Sequence, residues 1–383
     1  MKRFIATLFL IVFSCTSAMA NEIAYYNKTW DEIKAKAKAE HKYIFVDCYT
    51  SWCGWCKVMD KETMQDDGIV ALMGNKYVAV KMDMEKGEGI KLAMKFHITG
   101  YPTFLFFNAD GNFIYEAVGY QKTDKFTQVL NDALDETKQF KAPGYSTSLD
   151  VDLPLFYQDA YGANGAKKSP TGPDVYAYLG SQKDPFTEAN WAVLARFDLN
   201  DAYTQYFLDN ITKYEQLYST YCVQQKVNAV LSARLQAVMK DKDTAKFRDI
   251  LNMVDKYVKD DPRGVKINVR STFYKETKDW GKYTEAISDY IAINGYANEQ
   301  YIHSLCAAMC QECNDKKLLN KICPYMLKVV NKDDKYAYLD TYATLLYKTG
   351  QVKEAKTWAN KAIAIGKKTG ADISSAEALL KKD

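Results

Sequence analysis

The sequence predicts two successive architectures: an α/β unit with a mixed sheet between helices, then an all-α half. Three observations carry this reading. Short β-branched and aromatic runs alternate with helical stretches as far as about Phe140 and end in a hairpin pattern. After Pro185, apolar residues recur at three- and four-residue spacing, as in Tyr203, Phe207, Ile211 and Tyr214, and no strand pattern is evident. The 383 residues, 48% hydrophobic and 26% charged, hold enough apolar material for two or more compact domains.

The elements follow in order. Residues 1–20 have the layout of a secretory signal peptide: the basic pair Lys2 and Arg3, the apolar run Phe4 to Phe13, and small residues at Ala18-Met19-Ala20 before a cut at Asn21. That run is too short to span a bilayer, and no later segment reaches the roughly 18 apolar residues a membrane helix needs. The expected location is therefore exported, periplasmic or secreted. Cys15 carries a second reading, since Val12-Phe13-Ser14-Cys15 loosely resembles a lipoprotein box, although Phe13 is bulky for that pattern. Residues 21–140 form the α/β unit. Thr29 caps a helix through Ala39, Lys42 to Thr50 is a strand, and a helix runs from Cys53 to about Gln65. Tyr77 to Met84 is the next strand and Gly87 to Phe96 a short helix. Pro102 to Asn108 and Asn112 to Val118 make a hairpin turned at Ala109-Asp110-Gly111, and Thr123 to Thr137 closes the unit as an amphipathic helix. Such a unit has its own core and is expected to fold alone.

Residues 141–185 read as a linker, on the strength of Ala142-Pro143-Gly144 and the Gly-, Pro- and Lys-rich stretch from Gly162 to Pro173. Residues 186–383 are the helical domain. Within it Gly281 to Ala286 and Gly350 to Ala355 are similar and lie two periods of about 34 to 35 residues apart, close to the tetratricopeptide period. Residues 336–370 resemble one such repeat most clearly, with Leu339, Ala343, Gly350, Ala355 and Ala362 at small or apolar positions. Small alanines let paired helices nest, and the two glycines are expected at the tight turns between them, with Asn314-Asp315 at a middle turn.

Composition narrows function before any motif is read. The 51 basic and 48 acidic residues nearly balance, which gives no reason to expect nucleic acid as a partner. The stretch Trp52-Cys53-Gly54-Trp55-Cys56-Lys57 sits at a strand-to-helix junction. One cysteine at the helix start and the other one turn in place both sulfurs on one side, within bonding reach. The first thiol meets the positive end of the helix dipole and free backbone N–H groups, which populate the thiolate that attacks disulfides. A structural disulfide and half of a zinc site are the competing readings, the latter with only His41, His97 and Cys48 nearby in sequence.

With these residues in view, 21–140 resembles a thioredoxin-fold domain. Asp47 lies in the preceding strand where thioredoxins keep a buried carboxylate, Lys81 matches the lysine often beside it, and Gly100-Tyr101-Pro102-Thr103 matches the cis-proline loop. Cys56 to Lys61, Gly100 to Phe107 and Gly119-Tyr120 together are similar to the periplasmic C-terminal domain of the transmembrane thiol:disulfide interchange reductase. The resemblance implies a thiol-disulfide oxidoreductase, a protein-disulfide reductase or isomerase, whose redox-active disulfide Cys53-Cys56 needs no cofactor and no metal. Cys53 is then the nucleophile and Cys56 the resolving thiol. Asp47 serves as proton carrier for Cys56, or is an ordinary strand-end carboxylate. Pro102 in cis form places Tyr101 beside an incoming peptide. Trp52 and Trp55 form binding surface, and Lys81 and Lys57 are supporting cations. Partners are protein disulfide or thiol substrates, an upstream electron donor, and a protein held by the helical domain. Trp55 replaces the usual proline between the cysteines, which leaves the direction of electron flow open. The rival is a non-enzymatic scaffold or chaperone whose dithiol only tethers or senses.

A second cysteine group, Cys306, Cys310 and Cys313, copies an iron–sulfur spacing with His303 and Cys323 nearby. Spacing of i, i+4 and i+7 is equally one buried helical stripe, where free cysteine acts as a small hydrophobe, and that is the favoured reading. A disulfide between Cys310 and Cys313 is the remaining alternative.

Overall fold

The computed structural model describes residues 22–382. The signal-peptide expectation at 1–20, with Cys15, lies outside these residues. The α/β unit runs α1 (Trp30–Glu40), β1 (Tyr43–Tyr49), α2 (Gly54–Glu62), α3 (Asp67–Lys76), β2 (Tyr77–Asp83), α4 (Glu88–Lys95), β3 (Thr103–Phe107), β4 (Phe113–Val118) and α5 (Thr123–Leu134). Thr29 caps α1 through a reciprocal box with Glu32, as its sequence position implies. Helix α3 is the element that periodicity does not reveal. It carries Gly68 and Gly74, and its apolar residues, Ile69 to Met73, run consecutively instead of marking one face; Asp66 starts it by accepting from the backbone N–H groups of Gly68 and Ile69.

The four strands lie in the order β2-β1-β3-β4, with β1 parallel to β2 and antiparallel to β3, and β3 antiparallel to β4. Central β1 is covered on both faces, so Ile44 to Cys48 is buried without alternation. Phe45, Phe104 and Phe106 pack with Phe126 of α5 on one face, the Phe104 and Phe126 centroids 4.9 Å apart. Trp30 and Phe96 lie against Phe107, at 4.9 and 5.5 Å. Irregular segments bond both sheet edges: Tyr26 N–H donates to Ala79 on β2 and Phe140 N–H to Ile114 on β4, each at 2.7 Å.

Residues 141–185 are not a linker. They contain α6 (Leu155–Tyr161) and α7 (Gly172–Ser181), followed by α8 (Glu188–Arg196), α9 (Asp201–Asp209), α10 (Ile211–Tyr218) and α11 (Thr220–Asp241). The first compact unit extends through Val223. Trp191 is wholly buried, donates its indole N–H to the Tyr145 hydroxyl at 2.9 Å and stacks on Tyr218 at 4.9 Å. Tyr145 in turn meets Phe96 and Phe113 of the sheet domain, at 5.1 and 5.8 Å. Buried Lys95 pairs with Glu188 and donates to Ser146 Oγ at 2.9 Å. Glycine and proline mark breaks in local structure but do not show whether the residues between them find a core. The sheet domain packs against this segment through Tyr145, within one compact unit that runs past residue 140.

The second unit begins at Gln224. It continues α11 and contains α12 (Thr244–Tyr257), α13 (Pro262–Glu276), α14 (Trp280–Asn294), α15 (Glu299–Glu312), α16 (Lys316–Lys332), α17 (Tyr336–Thr349), α18 (Val352–Thr369) and α19 (Ser374–Leu380). Gly350 takes the left-handed conformation between α17 and α18, at φ +94°, and Asp315 caps α16 after the turn at Asn314. Gly281 lies instead inside α14; Lys278 adopts the positive φ, +57°, before that helix. Ala343, Ala355, Ala359 and Ala362 are wholly buried between helices.

Candidate active site

Strand β1 delivers the chain through Thr50 to Cys53, whose N–H donates to the Thr50 carbonyl at 3.1 Å. Cys53 is the N-cap of α2, with extended φ and ψ of −67° and 108°. Its Sγ accepts the backbone N–H of Cys56 at 3.0 Å, one of the donors a helix start leaves without an intrahelical partner. Cys53 and Cys56 form a disulfide, and both are buried. Once reduced, a thiolate at Cys53 would meet this N–H and the positive end of the helix dipole.

Asp47 and Lys81 are register partners across the parallel β1 and β2 pair, so their side chains are neighbours. Their charged atoms lie 3.0 Å apart. Lys81 also binds the carboxylate of Asp60 on α2, and its ammonium lies 5.2 and 5.6 Å from the ring centroids of Tyr49 and Tyr25. Asp47 is 3% exposed. Burial pushes its carboxyl up to about 6 against the opposing pull of Lys81, and the Asp60 charge adds to the rise. For Lys81, burial works to lower the pKa, but Asp47 and Asp60 together hold it above the ordinary value.

The rim is aromatic. Trp52 and Trp55 are 63% and 61% exposed, which fits surface rather than core. Trp52 meets the edge of Tyr101 at 5.8 Å and donates its indole N–H to Glu85 at 3.0 Å; Trp55 lies 5.5 Å from Tyr120, whose hydroxyl donates to Glu62 at 2.6 Å. The Tyr101-Pro102 peptide is cis, and the Pro102 carbonyl accepts the N–H of Gly119 at 2.8 Å. Lys57 is exposed on α2.

The structure thus gathers Cys53, Cys56, Trp52 and Tyr101 at one rim and pairs Asp47 with Lys81. Sequence reasoning missed Asp60, Glu85, Tyr120 and Glu62. Asp60 had a readable signal, because it follows Cys56 by one helical turn and so shares its face. Glu85 had none, since its bond to Trp52 depends on how the β2–α4 connection folds.

The metal-spacing residues go elsewhere. Cys48 is buried on β1, where burial holds its thiol well above the ordinary range, and His97 Nδ1 sits 3.1 Å from the Tyr157 hydroxyl. Cys306, Cys310, Cys313 and Cys323 are buried in the apolar core of the second unit, as free thiols. Among the described residues, no group of three or more His, Cys, Asp or Glu is placed to hold a metal ion.

Comparison with known proteins adds the family. The model of the thioredoxin-like domain matches residues 30–134. The thiol:disulfide interchange protein DsbD of Yersinia pestis is 32% identical over 105 residues, which are 27% of this chain and 18% of that protein. The protein disulfide-isomerase of Triticum aestivum is 29% identical over 115 residues, 30% of this chain and 22% of that protein. The chain therefore spans less than a quarter of either relative's length. The solution structure of a thioredoxin from Thermus thermophilus is 22% identical and covers 30% of this chain and 88% of its own, with a TM-score of 0.28. With the strand order, the dithiol at the start of α2 and the cis-proline loop in place, residues 30–134 form a thioredoxin-like domain.

Proposed function

We propose that this chain is an exported thiol-disulfide oxidoreductase acting on protein substrates, with a helical half, partly tetratricopeptide-like, that holds a protein partner. The observation that carries the redox reading is the Cys53-Cys56 disulfide at the first turn of α2, with Cys53 Sγ accepting a helix N–H at 3.0 Å. In the reducing direction, the Cys53 thiolate attacks a substrate disulfide. A new S–S bond forms to Cys53, and one substrate sulfur leaves as thiolate. The Cys56 thiolate then attacks the Cys53 sulfur, closing the Cys53-Cys56 bond and releasing the second substrate thiol. Two electrons pass to the substrate, and an upstream thiol donor must return two.

Asp47 fits the role of accepting the Cys56 proton, because a carboxyl with pKa near 6 is ionised at neutral pH yet basic enough to share a proton. Lys81 and Asp60 position it. The cis Tyr101-Pro102 bond beside Trp52 fits a place for an extended substrate strand, and Trp52 and Trp55 supply apolar contact. Export rests on the layout of residues 1–20. The test is reduction of insulin by the full chain supplied with a dithiol donor, alongside trapping in its native host. Turnover lost in Cys53→Ser, with mixed disulfides accumulating in Cys56→Ser, is the expected result. A wild-type protein that reduces neither insulin nor a small disulfide would favour the scaffold reading.

A further inference from the structure

The segment appended to the thioredoxin-like domain reaches the redox rim through Lys167. Lys167 Nζ lies 2.5 Å from Glu85 Oε1, while the other oxygen of the same carboxylate accepts the Trp52 indole N–H at 3.0 Å. Trp52 in turn meets Tyr101, the residue before the cis-proline. One carboxylate therefore joins a lysine from beyond residue 140 to the tryptophan that precedes Cys53.

The loop that carries Lys167 is built rather than slack. It follows α6, which is anchored where the Tyr157 hydroxyl donates to the Met94 carbonyl at 2.8 Å and where Tyr157 and Tyr161 pack at 5.4 Å. Gly162 turns the chain at φ +77°, Gly165 N–H donates to the Gly162 carbonyl at 3.2 Å, and Lys168 N–H returns to the Asp159 carbonyl at 2.9 Å. A Cβ on Gly162 would come within 3.1 Å of Lys167 Cγ and 3.0 Å of the Gly165 carbonyl oxygen, so the lysine stem lies along the glycine. Trp52 keeps 63% of its surface exposed, leaving the indole face open while its N–H is held. An indole held by its polar edge with an open face offers apolar area at little entropic cost to whatever binds.

We infer that the loop 162–171 is a wall of the substrate cleft, with Lys167 a positioning residue that fixes Trp52 through Glu85 and so favours polypeptide disulfides over small ones. This rests on the disulfide-exchange reading above. A polypeptide lying along Tyr101 covers Trp52; a small disulfide needs only the sulfur of Cys53. Weakening the clamp should therefore raise KM for a protein substrate and leave kcat and the small substrate alone. The Lys167 and Glu85 side chains are 53% and 28% exposed, so the gain is that of a surface pair, a factor of about two to five.

The test uses the full chain, with insulin and hydroxyethyl disulfide as substrates. In Lys167→Ala and Glu85→Gln, KM for insulin should rise about two- to fivefold with kcat nearly constant, while turnover of hydroxyethyl disulfide is unchanged, and Lys167→Arg should restore the insulin KM. In protein labelled with 15N at the indoles, the Trp52 signal, assigned with Trp52→Phe, should shift or broaden in Lys167→Ala. A wild type active on both substrates whose insulin KM is indifferent to Lys167→Ala and Glu85→Gln overturns the clamp alone. Equal losses on both substrates would also overturn it, by showing a general defect. A wild type active on neither removes the disulfide-exchange reading itself.

Discussion

The same four-residue spacing, C-x-x-C, occurs at opposite ends of two helices in this molecule. Cys53 caps the N-terminus of α2 with Cys56 one turn inside; Cys310 lies in the last turn of α15 with Cys313 as its C-cap. At the first site a backbone N–H points at Cys53 Sγ, 3.0 Å away. At the second, carbonyls are exposed by the helix end, and Lys348 donates to those of Cys310 and Cys313 at 2.6 and 3.2 Å. Burial pushes the Cys310 thiol up to about 12, with only partial opposition from Lys348, and drives Cys306 upward as well. The first pair is a disulfide at an exposed aromatic rim, and the second is two free thiols in a buried apolar core. Helix polarity and burial, rather than spacing, distinguish the two pairs.

The strongest way to break this comparison is to exchange serines at the two sites. Cys53→Ser should abolish insulin reduction, whereas Cys310→Ser with Cys313→Ser should retain turnover within about twofold in the folded protein. Loss of turnover in the double variant, with intact folding by circular dichroism, would make the helical-half thiols redox partners. Next in size is reactivity. In the reduced native chain near neutral pH, Cys53 should be alkylated at least about a hundredfold faster than Cys306 or Cys310, by mass spectrometry of time-quenched samples, and denaturation should erase the gap.

The proton path sharpens the contrast through pH. Asp47 must be ionised to accept a proton, so resolution of the mixed disulfide should slow as pH falls through about 6, and Asp47→Asn should be slow throughout and lack that inflection. Stopped-flow measurement of the resolving step checks it. The same shift has the opposite sign for stability. A carboxyl raised from 3.8 to about 6 binds its proton more tightly when folded; the stability it contributes is full below the unfolded value and is lost as pH rises through about 6. Asp47→Asn should then be more stable than the wild type near pH 7.5, on the order of 2 kcal/mol by urea unfolding, an advantage that shrinks toward pH 4. The smallest effects belong to the core thiols. Cys306→Ala and Lys348→Met should each cost about 1 kcal/mol, or somewhat more for the cavity, with dithiol turnover unchanged.

Much of the sheet domain was legible because its signals are local. Thr29, the β-branched and aromatic run of β1, the turn at Asp110-Gly111 and the cysteines at a strand-to-helix junction are each read within a few residues. Pairing Asp47 with Lys81 needed only the two strands in parallel register. Helix α3 escaped because its two glycines and its consecutive apolar run hide it until Ile69 and Met73 find the sheet-domain core. Gly281 misled because a glycine after a helix resembles a turn, while the actual turn strains Lys278.

The sequence by itself determined the dithiol at a helix start, the cis-proline motif and the switch from mixed to helical character. Only tertiary structure decided that residues 141–223 complete the first compact unit, that Asp60 joins Asp47 on Lys81, and that Lys167 reaches Trp52 through Glu85. The division has a physical cause. Capping, helix polarity and strand alternation act over a few residues and leave local traces, whereas the partners of Trp191 and Lys95, such as Tyr145 and Glu188, are set by which distant apolar surfaces bury one another.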